Sequence, residues 1–111
     1  MHQITQSDGT NKDRHMDYFP IFLNIRDQAC LVVGGGDVAA RKAGLLAKAG
    51  AKITVVSPQL GPELAEELAH GRIQHLQQTF QPQHLDQVVL AIAATDNEAV
   101  NREVADAARQ R

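Results

Sequence analysis

The stretch Leu31-Val32-Val33-Gly34-Gly35-Gly36-Asp37-Val38-Ala39-Ala40-Arg41-Lys42 constrains this chain more than any other. A short apolar run stops at three glycines, and a helix-forming segment begins at once. Gly34, Gly36 and Ala39 fall on the spacing G-x-G-x-x-A, the alanine-ended form of the dinucleotide-binding fingerprint. Each position has a physical task in that pattern. Gly34 allows a tight turn out of the strand. Gly36, lacking a Cβ, lets backbone approach a pyrophosphate, and Ala39 lets the helix lie close against the sheet. The helix N-terminus then offers unpaired N–H groups and a partial positive charge to phosphates. Glycine-rich turns are common, so the meaning comes from context: a strand-like run before and a helical pattern after.

In chain order, residues 1–15 are polar and without periodicity, and read as a disordered extension or tag, with the compact part starting near Met16. Tyr18-Phe19-Pro20-Ile21-Phe22-Leu23 predicts an extra short N-terminal strand, which Pro20 places at a sheet edge or strand start. Residues 29–33 predict the first central strand, with Cys30 as a small buried hydrophobe. Residues 38–49 predict a helix with Ala39, Ala43 and Leu46 on its buried face, widened by Leu45 and Ala49 and stopped by Gly50. The β-branched run at 52–56 predicts a second strand. Residues 60–70 predict a helix with Leu60, Leu64 and Leu68 in register. Residues 72–77 alternate like an edge strand, and 79–86 read as loop or one helical turn around Pro82. The continuously apolar run at 88–94 fits a parallel strand covered on both faces. A last helix starts near Asp96, with Thr95 and Glu98 at capping-box spacing and Val100, Val104, Ala107 and Ala108 as its buried stripe.

Strand and helix thus alternate, which predicts an α/β, Rossmann-like, doubly wound parallel sheet. Numbering its strands from residue 29, right-handed crossovers give the order 3-2-1-4. The switch between the first and fourth strands opens a crevice where residues 34–36 and 95–97 meet. The chain stops on a helix where such a domain returns to a further strand. Residues 16–111 therefore read as an NAD-binding Rossmann domain truncated at its C-terminus.

Composition narrows the function classes. Thirteen acidic against eleven basic residues argue against nucleic acid as a partner. A single cysteine allows no internal disulfide and fits a cytoplasmic setting. No apolar run approaches the ~20 residues that span a bilayer, so no membrane role is expected. The five histidines show no paired spacing and Cys30 has no partner, so no metal site is expected.

With these elements placed, the chain resembles the N-terminal dehydrogenase part of the siroheme synthases, a family that includes stand-alone precorrin-2 dehydrogenases. The resemblance is carried by Phe19-Pro20-Ile21-Phe22-Leu23, by Leu31 through Ala39, and by Arg41-Lys42. It continues in Leu45-Leu46, Ala49-Gly50-Ala51, Val55-Val56-Ser57-Pro58 and Leu90-Ala91-Ile92-Ala93-Ala94-Thr95-Asp96. It implies NAD-dependent oxidation of precorrin-2 to sirohydrochlorin. In full-length members it further implies ferrous iron insertion by a ferrochelatase (lyase) activity, a homodimer and, in larger bacterial enzymes, a fused methyltransferase. The aspartate that serves the family's chemistry would lie beyond Arg111, so no catalytic residue is expected here, and the fragment is expected to bind NAD without turnover. The alternative is a non-catalytic NAD-sensing regulatory module, which needs the same glycine loop.

The expected cofactor-binding residues are Gly34, Gly35, Gly36, Asp37, Val38, Ser57, Pro58, Gln59 and Thr95. Asp37 heads the first helix, where a capping role is worth about 1 kcal/mol; the resemblance adds that the backbone of Asp37 and Val38 faces the pyrophosphate. Many NAD-binding folds place a carboxylate after the second strand for the ribose hydroxyls. This chain has Ser57-Pro58-Gln59 there, and the Ser57 side chain with the backbone of Pro58 and Gln59 is the replacement. Thr95 and Asp96 sit beside the crevice. Arg41 and Lys42 lie in the second helical turn, where the macrodipole disfavours cations; the polycarboxylate substrate would compensate them.

Overall fold

The structure, a computed structural model, describes residues 3–6, as backbone only, and residues 23–110. Five parallel strands form one sheet: β1 (Gln3–Gln6), β2 (Ala29–Val33), β3 (Lys52–Val56), β4 (Gln74–Leu76) and β5 (Leu90–Ala93), in the spatial order β1-β5-β2-β3-β4. Three helices connect or follow them: α1 (Asp37–Lys48), α2 (Pro62–Ala69) and α3 (Glu98–Arg109). From β2 onward this is the expected 3-2-1-4 order, with the switch between β2 and β5.

Period-two alternation in the strands divides the core into two layers. Cys30 and Val32 of β2, with Ile53, Val55, Leu90 and Ile92, face Ala39, Ala43 and Leu46 of α1 and Leu64 of α2. Leu31 and Val33, with Val56, Ala91 and Ala93, face Val104 and Ala108 of α3 and, beside them, Phe80 and Leu85. Each large side chain buried this way contributes about 1.5–3 kcal/mol. Both faces of β2 are covered, which is why its sequence reads as an unbroken apolar run. Burial also pushes the Cys30 thiol above its ordinary pKa, because the thiolate would be desolvated. At neutral pH Cys30 is therefore expected to react with an aromatic disulfide reagent only as fast as the chain unfolds, with full reactivity in urea.

Several local expectations are corrected. Gln3–Gln6, read as part of a disordered extension, pairs with β5 as an outer strand, Gln3 opposite Leu90 and Gln6 opposite Ala93. Backbone hydrogen bonding to an open sheet edge needs no apolar pattern, so nothing in Gln-Ile-Thr-Gln announced it. The strand expected at residues 18–23 lies outside the described residues except for Leu23, which is exposed and outside any strand. Leu45 and Ala49 do not widen the buried face of α1: Leu45 is 60% exposed and Ala49 is exposed, so the face that meets the sheet is confined to Ala39, Ala43 and Leu46. The second helix starts at Pro62, whose fixed φ suits the first helical turn, and leaves Leu60 in the preceding loop. Leu64 is buried, whereas Leu68 is 39% exposed. Residues 82–85 form the single helical turn expected around Pro82, as a 3-10 turn.

Candidate cofactor cleft

The carboxyl ends of β2, β3 and β5 open onto one cleft of ≈ 790 Å³, within the range of small-molecule sites. Gly34, Gly35, Gly36, Asp37, Val38, Ser57, Pro58, Gln59 and Thr95 all line it. The structure thus brings every expected cofactor-binding residue together. Asp96 lines it too, as do Leu60, Gly61, Gln78, Thr79 and Phe80, which were not anticipated. Arg41 and Lys42 do not line it, Arg41 being exposed and Lys42 half-buried on α1.

The three glycines are constrained in three different ways. Gly34 turns the chain out of β2 at φ +137°, a region unfavourable to side chains, and an added Cβ would run into the Ala94 carbonyl. Its N–H donates to Val56 O at 3.0 Å. Gly35 has no such φ, but a Cβ there would overlap the Gln59 carbonyl and come within 2.9 Å of Ser57 Oγ. The Gly35 carbonyl also accepts from Gly61 N–H at 2.7 Å. The loops after β5 and β3 therefore hold the glycine turn from either side. Gly36 is different: its backbone is extended (φ −99°), and a Cβ there would meet nothing within 4 Å. Nothing among the described residues requires a glycine at 36.

Gly36 is also the N-cap of α1, and no side chain hydrogen-bonds into that first turn. Asp37, expected as the cap, is instead the first helical residue, since the chain enters the helix one residue earlier than the apolar pattern suggested. Two further helix N-termini among the described residues reach the same cleft. At α2 only the N-cap, Gly61, lines it: no side chain caps that turn, but Pro62 has no N–H and Gly61 N–H is committed to Gly35 O. The α3 terminus is closed by a side chain. Asn97 caps α3, its Oδ1 accepting from Ala99 N–H at 2.9 Å and Val100 N–H at 3.2 Å. The expected Thr95–Glu98 capping box is thus replaced by an Asn97 cap. α1 combines a first turn free of side-chain acceptors with first helical residues, Asp37 and Val38, that themselves line the cleft, and adds the positive end of a 12-residue helix.

Thr95 and Ser57 reach the cleft with their polar groups already occupied. Thr95 is held by Asn101, which is 6% exposed. Asn101 Nδ2 donates to Thr95 O at 3.0 Å, while Asn101 Oδ1 accepts from Thr95 N–H at 3.2 Å and from Thr95 Oγ–H at 2.7 Å. Asn97 N–H in turn donates to Thr95 Oγ1. Asn101 was not anticipated, although a signal existed: it falls at helical spacing with Val104, Ala105 and Ala108, where a polar residue is out of place unless it is fully bonded. Asn101→Ala would leave the Thr95 N–H and carbonyl without partners and is expected to cost about 2 kcal/mol of stability in urea unfolding. Ser57 is buried, and its hydroxyl donates to Gln59 O at 2.7 Å, so its one hydrogen is committed within the chain. The exposed Pro58 and Gln59 remain on the cleft.

A dinucleotide's diphosphate fits these residues. The opening at Gly36 is a cradle that a Cβ would fill, backed by uncapped amides. Among the described residues no lysine or arginine lines the cleft, so there the amides and the helix dipole would carry the anion, against the carboxylates of Asp37 and Asp96. Among the described residues, no cluster of His, Cys, Asp and Glu could hold a metal ion, and no helix is long and apolar enough to cross a membrane.

Comparison with known proteins agrees with this geometry. The chain is 57% identical to a siroheme synthase of Methylobacillus flagellatus and 53% identical to one of Chromobacterium violaceum, over 86% of its own length in each case. It spans only about a fifth of those relatives, 21% and 20% respectively. Among solved structures it is similar to SirC, a precorrin-2 dehydrogenase, with a TM-score of 0.74 and 32% identity, covering 79% of this chain and 44% of that one. The model of a family of NAD(P)-binding domains matches residues 21–111. With the glycine turn, the open helix terminus and this match in agreement, the chain belongs to that NAD(P)-binding family.

Proposed function

We propose that residues 16–111 hold NAD for the oxidation of precorrin-2 to sirohydrochlorin, as the cofactor domain of a longer, cytoplasmic, homodimeric siroheme synthase. The observation that carries the reading is Gly36, a glycine that no contact among the described residues requires, placed at the uncapped terminus of α1, whose first residues line the cleft. The resemblance to siroheme synthases and to a precorrin-2 dehydrogenase supplies the substrate class. NAD, when bound, accepts the hydride. The residues of this chain bind and orient it: the amides at 36–38 hold the diphosphate, Gly34 and Gly35 fix the turn, and Pro58 and Gln59 form the adenosine-side wall. NAD is preferred to NADP because, among the described residues, no arginine or lysine on the cleft would meet a further phosphate.

Turnover, and iron insertion where it occurs, needs segments of the longer protein outside this chain. Arg41 and Lys42, away from the cleft, are proposed as substrate contacts at its periphery only within that assembly. The test is direct. The 111-residue chain should bind NAD, with weaker binding of NADP, and should form no NADH from precorrin-2, whereas the longer protein should form it. Turnover by the short chain would overturn the division of labour. NAD binding without precorrin-2 oxidation by the longer protein would favour the regulatory module.

A further inference from the structure

We infer that His75, on the edge strand and outside the cleft lining, is a positioning residue that sets the shape of the adenosine-side wall. The inference rests on the cofactor reading above. His75 Nε2 lies 2.9 Å from Ser57 O and 3.2 Å from Ser57 Oγ. A carbonyl oxygen can only accept, so Nε2 carries the hydrogen and donates to both Ser57 oxygens. The Ser57 hydroxyl is then left to spend its single hydrogen on Gln59 O, at 2.7 Å.

The result is a relay from His75 through Ser57 to Gln59, each bond polarising the next. Its end point matters, because the Gln59 carbonyl oxygen sits where a Cβ of Gly35 would go. Two further bonds close the ring: Ser57 N–H donates to Leu76 O at 3.2 Å, and Gly61 N–H to Gly35 O at 2.7 Å. The turn at 57–59 is thus fixed to β4 on one side and to the glycine turn on the other. In a fold with a carboxylate at the end of this strand, ribose selection comes from that charge. Here the backbone course of Pro58 and Gln59 does the selecting, and His75 determines that course.

The test uses His75→Leu, His75→Gln and Ser57→Ala in the full chain, titrated by NMR and calorimetry with NAD, ADP and inorganic pyrophosphate. Glutamine places an N–H donor near the position of Nε2, and leucine removes it. His75→Leu is expected to weaken NAD and ADP binding about tenfold, with pyrophosphate unaltered, and His75→Gln to recover most of the loss. Should the leucine variant not fold, Ser57→Ala, which cuts the relay at its second bond, must show the same adenosine-selective loss. Equal weakening of ADP and pyrophosphate, no weakening, or no recovery with glutamine would overturn the inference. Wild-type protein that binds neither NAD nor ADP would overturn the cofactor reading itself, whereas a flat His75→Leu response on a wild type that binds would remove only the role of His75.

Discussion

Gly36→Asp is expected to raise the melting temperature by a few degrees while lowering affinity for NAD at least ~100-fold. The two effects have one origin. Gly36 stands at the N-cap of α1 with extended backbone and open space where a side chain would go. An aspartate there can accept hydrogen bonds from first-turn N–H groups that now have no side-chain partner, and its charge meets the positive end of the helix dipole. Capping and dipole together are worth about 0.5–1 kcal/mol over glycine, or ~2–6 °C in a domain of this size. The same carboxylate occupies the volume and the donors that the diphosphate would use, and repels its charge. A stabilised variant that has lost its ligand distinguishes a functional glycine from a structural one, and thermal melts with NAD calorimetry on the same sample read both effects. If Gly36→Asp bound NAD as wild type does, the diphosphate would have to lie elsewhere.

One residue earlier the sign reverses. Gly35→Ala is expected to destabilise the domain by about 2–4 kcal/mol, lowering the melting temperature by ~10 °C or more. The added methyl group would overlap the Gln59 carbonyl and crowd Ser57 Oγ. Backbone cannot escape by a rotamer change, so the 57–61 loop must move and strain the Gly61 N–H to Gly35 O bond. Loss of NAD binding should follow from the displaced turn, as a consequence of the lost stability. A circular-dichroism melt indistinguishable from wild type would show that the loop yields cheaply and that the contact is not a constraint. Adjacent glycines with opposite outcomes are hard to explain by any reading in which the turn merely joins β2 to α1.

The sheet order and the glycine turn were legible because each rests on a local pattern with one structural solution. Unbroken apolar runs such as 88–94 require burial on both faces, and G-x-G-x-x-A between a strand and a helix leaves few backbone courses. What could not be read depends on partners distant in sequence. The need for glycine at 35 comes from Gln59, 24 positions on, and the inward turn of Ser57 comes from His75 on another strand. Asn101 adds nothing to the apolar stripe of its helix, yet a polar residue in the buried phase marks a bonded network. Thr95 and Asn97 are both good capping residues two positions apart, so the sequence alone does not separate them. Gln3–Gln6 carried no signal, since pairing to an exposed edge is a backbone property.

Among the described residues three helix N-caps line the cleft, and the central claim is that the α1 terminus holds the anion. Amide NMR during a titration with NAD tests this directly. Saturable shifts are predicted at Gly36, Asp37 and Val38, with Ala99 and Val100, already bonded to Asn97, moving far less. Signals at 36–38 that stay still at millimolar NAD, or shifts centred on the α3 terminus instead, would contradict it.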